Sequence, residues 1–199
     1  MKQKVLVYAG ANTGGPLIRL SKNFDVCYAF EAHPRIFQNL EARTKNYSNI
    51  QIFNVALTTR KGPVSFYEYI GMPYSSSLGA EMCDKHSPNV RSIKKYTVKG
   101  INLMEFLRQK GVDHISLYLS DLQGVDFDVL QTLKPLIDKQ NIDKIICEVE
   151  KDDMEQHYKD LSSNRRSNFD KLLEHKYQLA GNATCAGWIC SDITWIPKI

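Results

Sequence analysis

The sequence has few cysteines, no long hydrophobic run and no strong excess of charge of one sign. Its five cysteines are odd in number, which excludes a complete disulfide framework and indicates reduced thiols, as in cytosolic proteins. No apolar run approaches the roughly 20 residues of a membrane-spanning helix. The run from Val5 to Ala11 is too short and too rich in glycine for a signal peptide. We therefore expect a soluble, cytoplasmic protein without a membrane partner.

The composition is that of an ordinary globular domain. The 199 residues are 43% hydrophobic and 24% charged, with 26 lysines and arginines against 22 acidic residues. A net charge of +4 is too small to indicate a nucleic-acid surface, so no nucleic-acid partner is expected. We predict one domain over residues 1–199. Its first core strand is predicted near residue 4 with no leading helix, which indicates a domain excised from a longer polypeptide; a naturally minimal protein is the alternative.

The beginning of the chain combines an apolar run with a glycine-rich loop. Residues 4–9 predict a strand, Gly10 to Gly14 a loop and the following residues a helix. Because glycine has no Cβ, a ligand can approach the loop backbone closely, and amides at a helix N-terminus bind anionic groups. Roughly 20 residues further on, the second apolar run ends at Glu31, where an acid binds ribose hydroxyls in doubly wound folds. The pattern predicts a nucleoside ligand.

Apolar and amphipathic segments alternate along the rest of the chain, as in a parallel sheet flanked by helices. Strands are predicted at 50–53, 114–119 and 142–150, helices from Pro34 and at about 102–110 and 165–175, and a C-terminal hairpin at 177–180 and 188–196. Residues 63–69 and 96–99 are predicted as additional extended segments. Residues 71–92 are predicted as a long polar loop, of the kind that forms a lid or is disordered.

Polar residues cluster where the predicted strands end. In open parallel sheets the carboxyl ends of the strands line the ligand crevice. The residues at these ends are Glu31, Asn54, Asp121, Gln123, Glu148 and Glu150.

In their order along about residues 4–197, these motifs resemble those of the FkbM-type methyltransferases. The matching segments are Val7–Gly14, Phe30–Pro34, Asn54–Leu57, Ser76–Leu78, Leu119–Gly124 with Asp128–Leu130, and Ile146–Glu148. The resemblance implies an α/β, Rossmann-like class I methyltransferase fold, with a seven-stranded, mostly parallel sheet, an antiparallel last strand and helices on both faces. It also implies S-adenosylmethionine as the cofactor and a hydroxyl acceptor, often on a sugar, a glycan or a glycosylated product.

The resemblance also implies roles for individual residues. Gly10, Ala11, Asn12, Thr13 and Gly14 would cradle the methionine part of the cofactor, Glu31 and its neighbour Ala32 would hold the ribose, Asn54, Val55 and Ala56 would contact the adenine, and Ser76, Ser77 and Leu78 would close over the site. Asp121 would face the methionine amine or the acceptor hydroxyl. The chain departs from the family pattern at Tyr8, usually an acid, at Ala32, usually proline, at Leu119, usually lysine, and at Gln123, usually glutamate.

Methyl transfer to a hydroxyl needs correct positioning and a proton acceptor within hydrogen-bond reach. Asp121 is our first candidate for the base, and His86 and His33 are the next, although His33 is equally suited to cap a helix. The predicted acceptor-binding residues are Gln123, Glu148 and Glu150. A divalent metal held by Asp121, Glu148 and Glu150 is an alternative means of activation. No metal is expected, since the resemblance implies none and Cys185 and Cys190 lack a second ligand pair.

The sequence argues against two other enzyme functions and leaves one non-enzymatic function open. A nicotinamide-dependent short-chain dehydrogenase needs a Tyr-x-x-x-Lys pair, and none of the ten tyrosines has lysine four residues on. Amino-group methylators of nucleic-acid bases carry an Asn/Asp-Pro-Pro-aromatic motif where this chain has Ser120-Asp121-Leu122-Gln123. A non-catalytic binding module with this fold stays open. For an excised domain, fused glycosyltransferase domains are the companions that the resemblance suggests.

Overall fold

The computed structural model describes residues 2–72, 75–83, 87–184 and 190–199. Seven strands form the main sheet in the order β3-β2-β1-β7-β8-β10-β9. Their bounds are Val5–Ala9 for β1, Val26–Phe30 for β2, Ile50–Phe53 for β3, Leu117–Ser120 for β7, Ile145–Glu150 for β8, Tyr177–Thr184 for β9 and Cys190–Pro197 for β10. The first five strands of this order are parallel, and β10 runs antiparallel to both β8 and β9. This confirms the predicted fold class.

Burial explains why the central strands are almost wholly apolar. Every residue of β1 and β2 is buried, because helices cover both faces of a parallel sheet. One layer contains Leu17 and Leu40 of α1 (Gly15–Ser21) and α2 (Pro34–Thr44). The opposite, larger layer contains the apolar side chains of α3 (Leu103–Gln109), α4 (Asp126–Thr132), α5 (Lys134–Ile137) and α6 (Arg166–Leu173). Within the described ranges no helix is long and apolar enough to cross a membrane.

A second, three-stranded sheet accounts for the additional extended segments. It consists of β4 (Ala56–Thr58), β6 (Ser92–Asn102) and β5 (Gly62–Ile70), in that spatial order. The strand β6 pairs in parallel with β4 and antiparallel with β5. Both predicted segments are thus confirmed as strands and are longer than predicted, because pairing with each other extends them beyond their apolar cores.

The connection between β5 and β6 is packed over its described parts, so the expectation of a disordered or freely moving loop is wrong for those parts. Met82 lies in a buried cluster with Tyr69 and Tyr158. The Tyr69 hydroxyl donates to the Gly79 carbonyl at 2.8 Å, and Ser77 is fully buried. These contacts hold the segment against the end of the main sheet.

Two core strands begin later than predicted. The fourth core strand starts at Leu117 rather than at residue 114, and the fifth starts at Ile145 rather than at residue 142. An isolated bridge between Ile115 and Ile142 precedes both. Apolar residues are therefore buried before regular strand pairing begins. The sequence pattern does not distinguish these buried residues from those of the strand itself. The described cysteine side chains, Cys27, Cys83 and Cys147, are buried.

Candidate active site

The glycine loop passes directly beside the end of β7. Gly10 has φ of 80°, and a Cβ at this position would lie 1.9 Å from the Asp121 carbonyl oxygen. The amides of Gly10 and Ala11 both donate to the Phe30 carbonyl, at 3.0 and 2.9 Å. A left-handed backbone with no room for a side chain is accessible to glycine alone. The loop is therefore held between the carboxyl ends of β2 and β7.

Glu31 lies at the end of β2, where its carboxylate binds the loop. The backbone N–H of Asn12 donates to Glu31 Oε2 at 2.9 Å, and that of His33 donates to Oε1 at 2.8 Å. Burial raises the pKa of Glu31 to about 6, although these hydrogen bonds oppose the rise. Each carboxylate oxygen accepts more than one hydrogen bond, so Glu31 can also accept from a ligand in the adjoining cleft.

The cleft opens at the carboxyl ends of β1, β2 and β7. The second sheet supplies Phe66 to its wall. Among the residues that were predicted to bind ligand, the cleft is lined by Gly10, Asn12, Glu31, Ala32, Val55, Ala56, Ser76, Leu78, Asp121 and Gln123. The structure therefore brings most of the predicted cofactor-binding residues together around one cavity.

Other residues that were predicted to bind the cofactor do not line the cleft. Two of them, Asn54 and Ser77, hydrogen-bond to residues that do. The Asn54 amide donates to the carbonyls of Glu31 and Ala32, at 2.8 and 3.3 Å. The Ser77 hydroxyl donates to the Gln123 carbonyl at 2.6 Å. Ala11 is buried beside the strands, and neither Thr13 nor Gly14 lines the cavity. Their roles as direct ligands to the cofactor stay predictions.

Gln123 joins two carboxyl groups at the end of the sheet. Its side-chain amide donates to Asp121 Oδ1 at 2.7 Å and lies 3.3 Å from Glu148 Oε2. The carboxyl groups of Asp121 and Glu148 lie close enough for each to shift the pKa of the other. Solvent reaches Asp121 through the cleft, but surrounding protein still desolvates it and raises its pKa.

Desolvation and the nearby charges of Asp121, Asp126 and Asp192 raise the pKa of Glu148 well above its usual value. Burial and neighbouring acids thus favour the protonated form of Glu148 more strongly than that of Asp121, and Asp121 is the better candidate for a proton acceptor. Asp126 is completely buried next to this pair and accepts from the Leu122 amide at 3.0 Å. Burial and then Asp121 raise the pKa of Asp126 to about 8.

Two histidines were alternative candidates for the base, and the structure describes one of them, His33. His33 caps α2, because its Nδ1 accepts from the Arg35 amide at 3.2 Å, and its Nε2 lies 3.3 Å from Glu68 Oε1. Glu68 also accepts from the Tyr96 hydroxyl at 2.7 Å and contacts the Arg35 guanidinium. His33 lines the cleft, but both of its ring nitrogens already have partners, and the ring links α2 to the second sheet. His86 lies outside the described residues.

Glu150 points to a different environment from Glu148. Its carboxylate accepts from the His157 amide at 3.0 Å and lies 3.9 Å from the Arg165 guanidinium, and it does not line the cleft. Within the described part of the chain, no group of three or more His, Cys, Asp or Glu side chains is placed to hold a metal ion. The alternative metal set of Asp121, Glu148 and Glu150 is thus not assembled.

Two residues near the cleft, the acid Asp192 and the aromatic Phe66, were not predicted from the sequence. Asp192 lies in β10 directly opposite Glu148 of β8, and Phe66 comes from the second sheet. Asp192 is the one charged residue of β10, and this isolated acid was an available signal. Nothing in the sequence indicated Phe66, since its position depends on how the second sheet docks.

Comparisons with known proteins agree with this architecture. The profile of the methyltransferase FkbM domain matches residues 9–178, whereas no curated protein sequence matches the chain. A putative methyltransferase from Streptococcus mutans, solved in complex with SAH, superposes with a TM-score of 0.54 at 11% identity, over 99% of this chain and 90% of that one. An rRNA methylase from Streptococcus thermophilus gives 0.50 at 11% identity, over 98% and 87%. Fibrillarin from Aeropyrum pernix, with natively bound S-adenosyl-L-methionine, gives 0.54 at 10% identity, over 98% and 66%. At these identities the likeness shows the fold.

Proposed function

The chain belongs to the methyltransferase FkbM domain family, and on that premise we propose that it transfers a methyl group to a hydroxyl of a sugar. It is a class I methyltransferase, and its cofactor is S-adenosylmethionine. The proposal concerns the acceptor: a hydroxyl oxygen, carried by a glycan or a glycosylated molecule. The observation that carries it is the hydrogen-bonded pair of Asp121 and Gln123, which both line the cleft, with Glu148 Oε2 at 3.3 Å from the Gln123 amide.

The residues of the cleft fit this cofactor. A Cβ at Gly10 would fill the space beside the loop, and the Glu31 carboxylate can accept hydrogen bonds from the two ribose hydroxyls. Val55 and Ala56 offer apolar surface on the same side, which suits a purine ring. When bound, S-adenosylmethionine supplies an electrophilic methyl group on a sulfonium.

The chain itself would position the acceptor and move its proton. Asp121 accepts the proton that the hydroxyl loses, because its carboxyl group lines the cleft, whereas Glu148 does not line it and has its pKa raised well above the usual value. Gln123 donates to Asp121 and thereby fixes the orientation of the accepting oxygen. General-base assistance of this kind contributes about 100-fold or more. A sugar, with several hydroxyl groups in a fixed arrangement, matches the mixture of donors and acceptors at this end of the cleft.

Cofactor binding is the first test. Titration calorimetry with S-adenosylhomocysteine should give micromolar binding to the chain, binding that Glu31→Gln weakens at least tenfold because an amide cannot accept all of the hydrogen bonds of a carboxylate. Glu41→Gln is the matched control, since Glu41 is an exposed acid on α2. Absence of binding to the parent chain would contradict methyltransferase activity and favour a non-catalytic module.

The acceptor is the second test. Transfer of labelled methyl from S-adenosylmethionine should be measured with a panel of deoxysugars and glycans, using the chain and Asp121→Asn. We expect a methyl ether product and a loss of about 100-fold or more in kcat for the variant, with cofactor affinity within a few-fold. Methylation of nitrogen or carbon in place of oxygen would overturn the proposal.

A further inference from the structure

The exposed charges of the second sheet are all of one sign. Its one acid, Glu68, is buried and is bound by the Arg35 guanidinium and the Tyr96 hydroxyl. Surfaces ordinarily intersperse the two signs, and a field of one sign attracts ligands of the opposite charge. We call the exposed charged side chains on the three strands, and within two residues of a strand end, the basic strip: Arg60, Lys61, Arg91, Lys94, Lys95 and Lys99.

No acid neutralises the basic strip. Among the residues that the structure describes, none of its six side chains forms an ion pair. Two of its lysines contact aromatic rings: Lys94 Nζ lies 4.9 Å from the centre of the Tyr96 ring, and Lys95 Nζ lies 5.8 Å from the centre of the Tyr67 ring. A cation–π contact orients an ammonium group but leaves its charge in place. The charge of the strip is therefore available to a ligand.

The strip follows an open edge of the second sheet. Residues 92–99 of β6 pair with β5 on one side, whereas β4 pairs only with residues 100–102. Within the described ranges no strand lies along the other edge of residues 92–99. Lysine on such an edge prevents pairing with a further strand, which accounts for the three lysines of β6. It does not account for Arg60 and Lys61, which lie in the connection between β4 and β5.

The strip also borders the cofactor cleft. Tyr96 pairs with Phe66 across β6 and β5, and Phe66 lines the cleft. Lys61 and Lys99 line a surface groove together with Val55, and Val55 lines the cleft as well. A molecule that lies along the strip is therefore next to the cavity in which the methyl group is transferred.

The length of the strip indicates a ligand with several charges. Lys95 and Lys99 project from the same face of β6 and are four residues apart, which places their Cα atoms about 13 Å from each other at 3.3 Å per residue. Lys94 projects from the opposite face. Lysine is a compact point charge on a flexible stem, so these side chains suit ionic groups repeated along a polymer better than a single ion held in a fixed geometry.

We propose that the basic strip binds the acceptor, and that the acceptor is a polyanionic glycan, a chain of sugars with a carboxylate or a sulfate repeated along it. The strip holds the anionic groups of the chain, and the cleft beside it receives one sugar. Charge complementarity supports this occupant, since lysine pairs with either kind of anionic group. This inference rests on the proposed sugar O-methylation and names the class of glycan.

A nucleic acid fits the strip less well. Proteins bind single strands by stacking the bases on exposed aromatic side chains within a basic groove. Here the rings of Tyr67 and Tyr96 are half-buried, and lysine ammonium groups lie over both. The strip thus offers charge without a free stacking surface, which matches a sugar polymer.

Matched pairs of polymers test the strip by titration calorimetry with the full chain. Polygalacturonate is compared with its fully methyl-esterified form, which keeps the sugar backbone and loses the charge. We expect the charged form to bind about tenfold more tightly or better, and its affinity to fall about tenfold between about 50 and 200 mM salt. Dextran sulfate and dextran are the second pair, and the tighter of the two charged polymers identifies carboxylate or sulfate as the anionic group.

A triple variant assigns the binding to the strip. It replaces the three lysines of β6: Lys94→Gln, Lys95→Gln and Lys99→Gln. Its affinity for the better charged polymer should fall to within about twofold of that for the neutral form, while the thermal unfolding midpoint shows that it folds. The matched control replaces three exposed lysines outside the second sheet: Lys22→Gln, Lys139→Gln and Lys171→Gln. This control has the same net charge as the triple variant, and it should bind the polymer as the parent does.

The outcomes separate the two proposals. Equal binding of the charged and neutral glycans, binding of none, or an equal loss in both triple variants overturns the glycan strip even when S-adenosylhomocysteine binds. Tighter binding of single-stranded DNA or of poly-L-glutamate, at the same number of charges and through the same three lysines, also overturns it. Lysine-dependent binding of polygalacturonate or dextran sulfate in a chain that binds no S-adenosylhomocysteine supports the strip and contradicts the proposed methyl transfer.

Discussion

The Ser77 hydroxyl donates to the Gln123 carbonyl at 2.6 Å, which ties the connection between the second sheet's long strands to the turn that holds Asp121. Ser77 also accepts from the Gly79 amide at 2.9 Å and is fully buried. The turn is strained, since Gln123 has φ of 53°. A segment that connects two strands of the smaller sheet thus holds the active-site turn in place.

Ser77→Ala should destabilise the protein and slow catalysis. The substitution leaves a buried carbonyl and a buried amide without their partner, which costs about 1–3 kcal/mol in the free energy of unfolding. We expect kcat to fall more than the affinity for S-adenosylhomocysteine, because the turn positions Asp121 more than it contacts the nucleoside. Urea denaturation and steady-state kinetics measure both effects. Ser92→Ala, at an exposed position in β6, is the control, and an equal effect of both variants would refute the supporting role.

Cofactor affinity should depend on pH through Glu31. Its pKa is raised to about 6 in the folded protein, and the ribose hydroxyls need the ionised carboxylate as acceptor. Affinity for S-adenosylhomocysteine should therefore be constant above a pH of about 7 and fall as the pH drops through 6, by up to about tenfold for each pH unit. Calorimetry from pH 5 to pH 8 measures this dependence. Glu31→Gln should bind weakly at every pH, and a parallel decline in that variant would show that another group is responsible.

The raised pKa of Glu31 should affect the stability of the unliganded chain in the opposite direction to cofactor affinity. Stability should fall as the pH rises. An acid whose pKa is higher in the folded state is bound to more protons when folded, so its contribution is present below the unfolded pKa of about 4.5 and is lost as the pH rises through about 6. The free energy of unfolding of the parent chain, relative to Glu31→Gln, should fall over this window. Saturating S-adenosylhomocysteine should reverse the slope, since the cofactor selects the ionised form.

Gly10→Ala should be among the most damaging single substitutions. A Cβ would lie 1.9 Å from the Asp121 carbonyl oxygen, and φ of 80° adds about 1–2 kcal/mol for any other residue. We expect a loss of several kcal/mol in the free energy of unfolding and no measurable cofactor binding. Gly111→Ala measures the backbone cost alone, because its φ is 69° with nothing within 4 Å of the added Cβ.

Gly15→Ala completes the comparison. Gly15 is the first residue of α1, and its added Cβ would meet nothing within 4 Å, so this variant should be neutral or stabilising by up to about 1 kcal/mol. If Gly10→Ala were no worse than Gly111→Ala, the close approach to β7 would not be what requires glycine.

Features that depend on residues close together in the sequence were predictable. Features that depend on contacts between distant segments were not. The strand, loop and acid from Val5 to Glu31 form one local unit, of which Gly10, Asn12 and Glu31 line the same cleft. Glu148 and Glu150 have the same local pattern, two residues apart in β8, but a later segment supplies the His157 amide that donates to Glu150 Oε1. Docking of Phe66 against the cleft is likewise a long-range event.

Gln123→Glu tests why this chain carries an amide where a glutamate is usual. The Gln123 amide donates to Asp121 and lies within reach of Glu148, and a glutamate would replace this donor with a third acceptor. At neutral pH, repulsion should cost about 1–3 kcal/mol in the free energy of unfolding, and the cost should shrink on acidification as the carboxyl groups become protonated.

The pH dependence of kcat is the second measurement for Gln123→Glu. Crowding of the acids raises the pKa of Asp121 further, so the pH at which kcat reaches half its maximum should move upward relative to the parent chain. Gln109→Glu, at an exposed position at the end of α3, adds the same charge away from the site and should leave that pH unchanged. A pH profile of Gln123→Glu that coincides with the parent profile would mean that Asp121 does not titrate in the rate-determining step, and the base would then have to be sought elsewhere in the cleft.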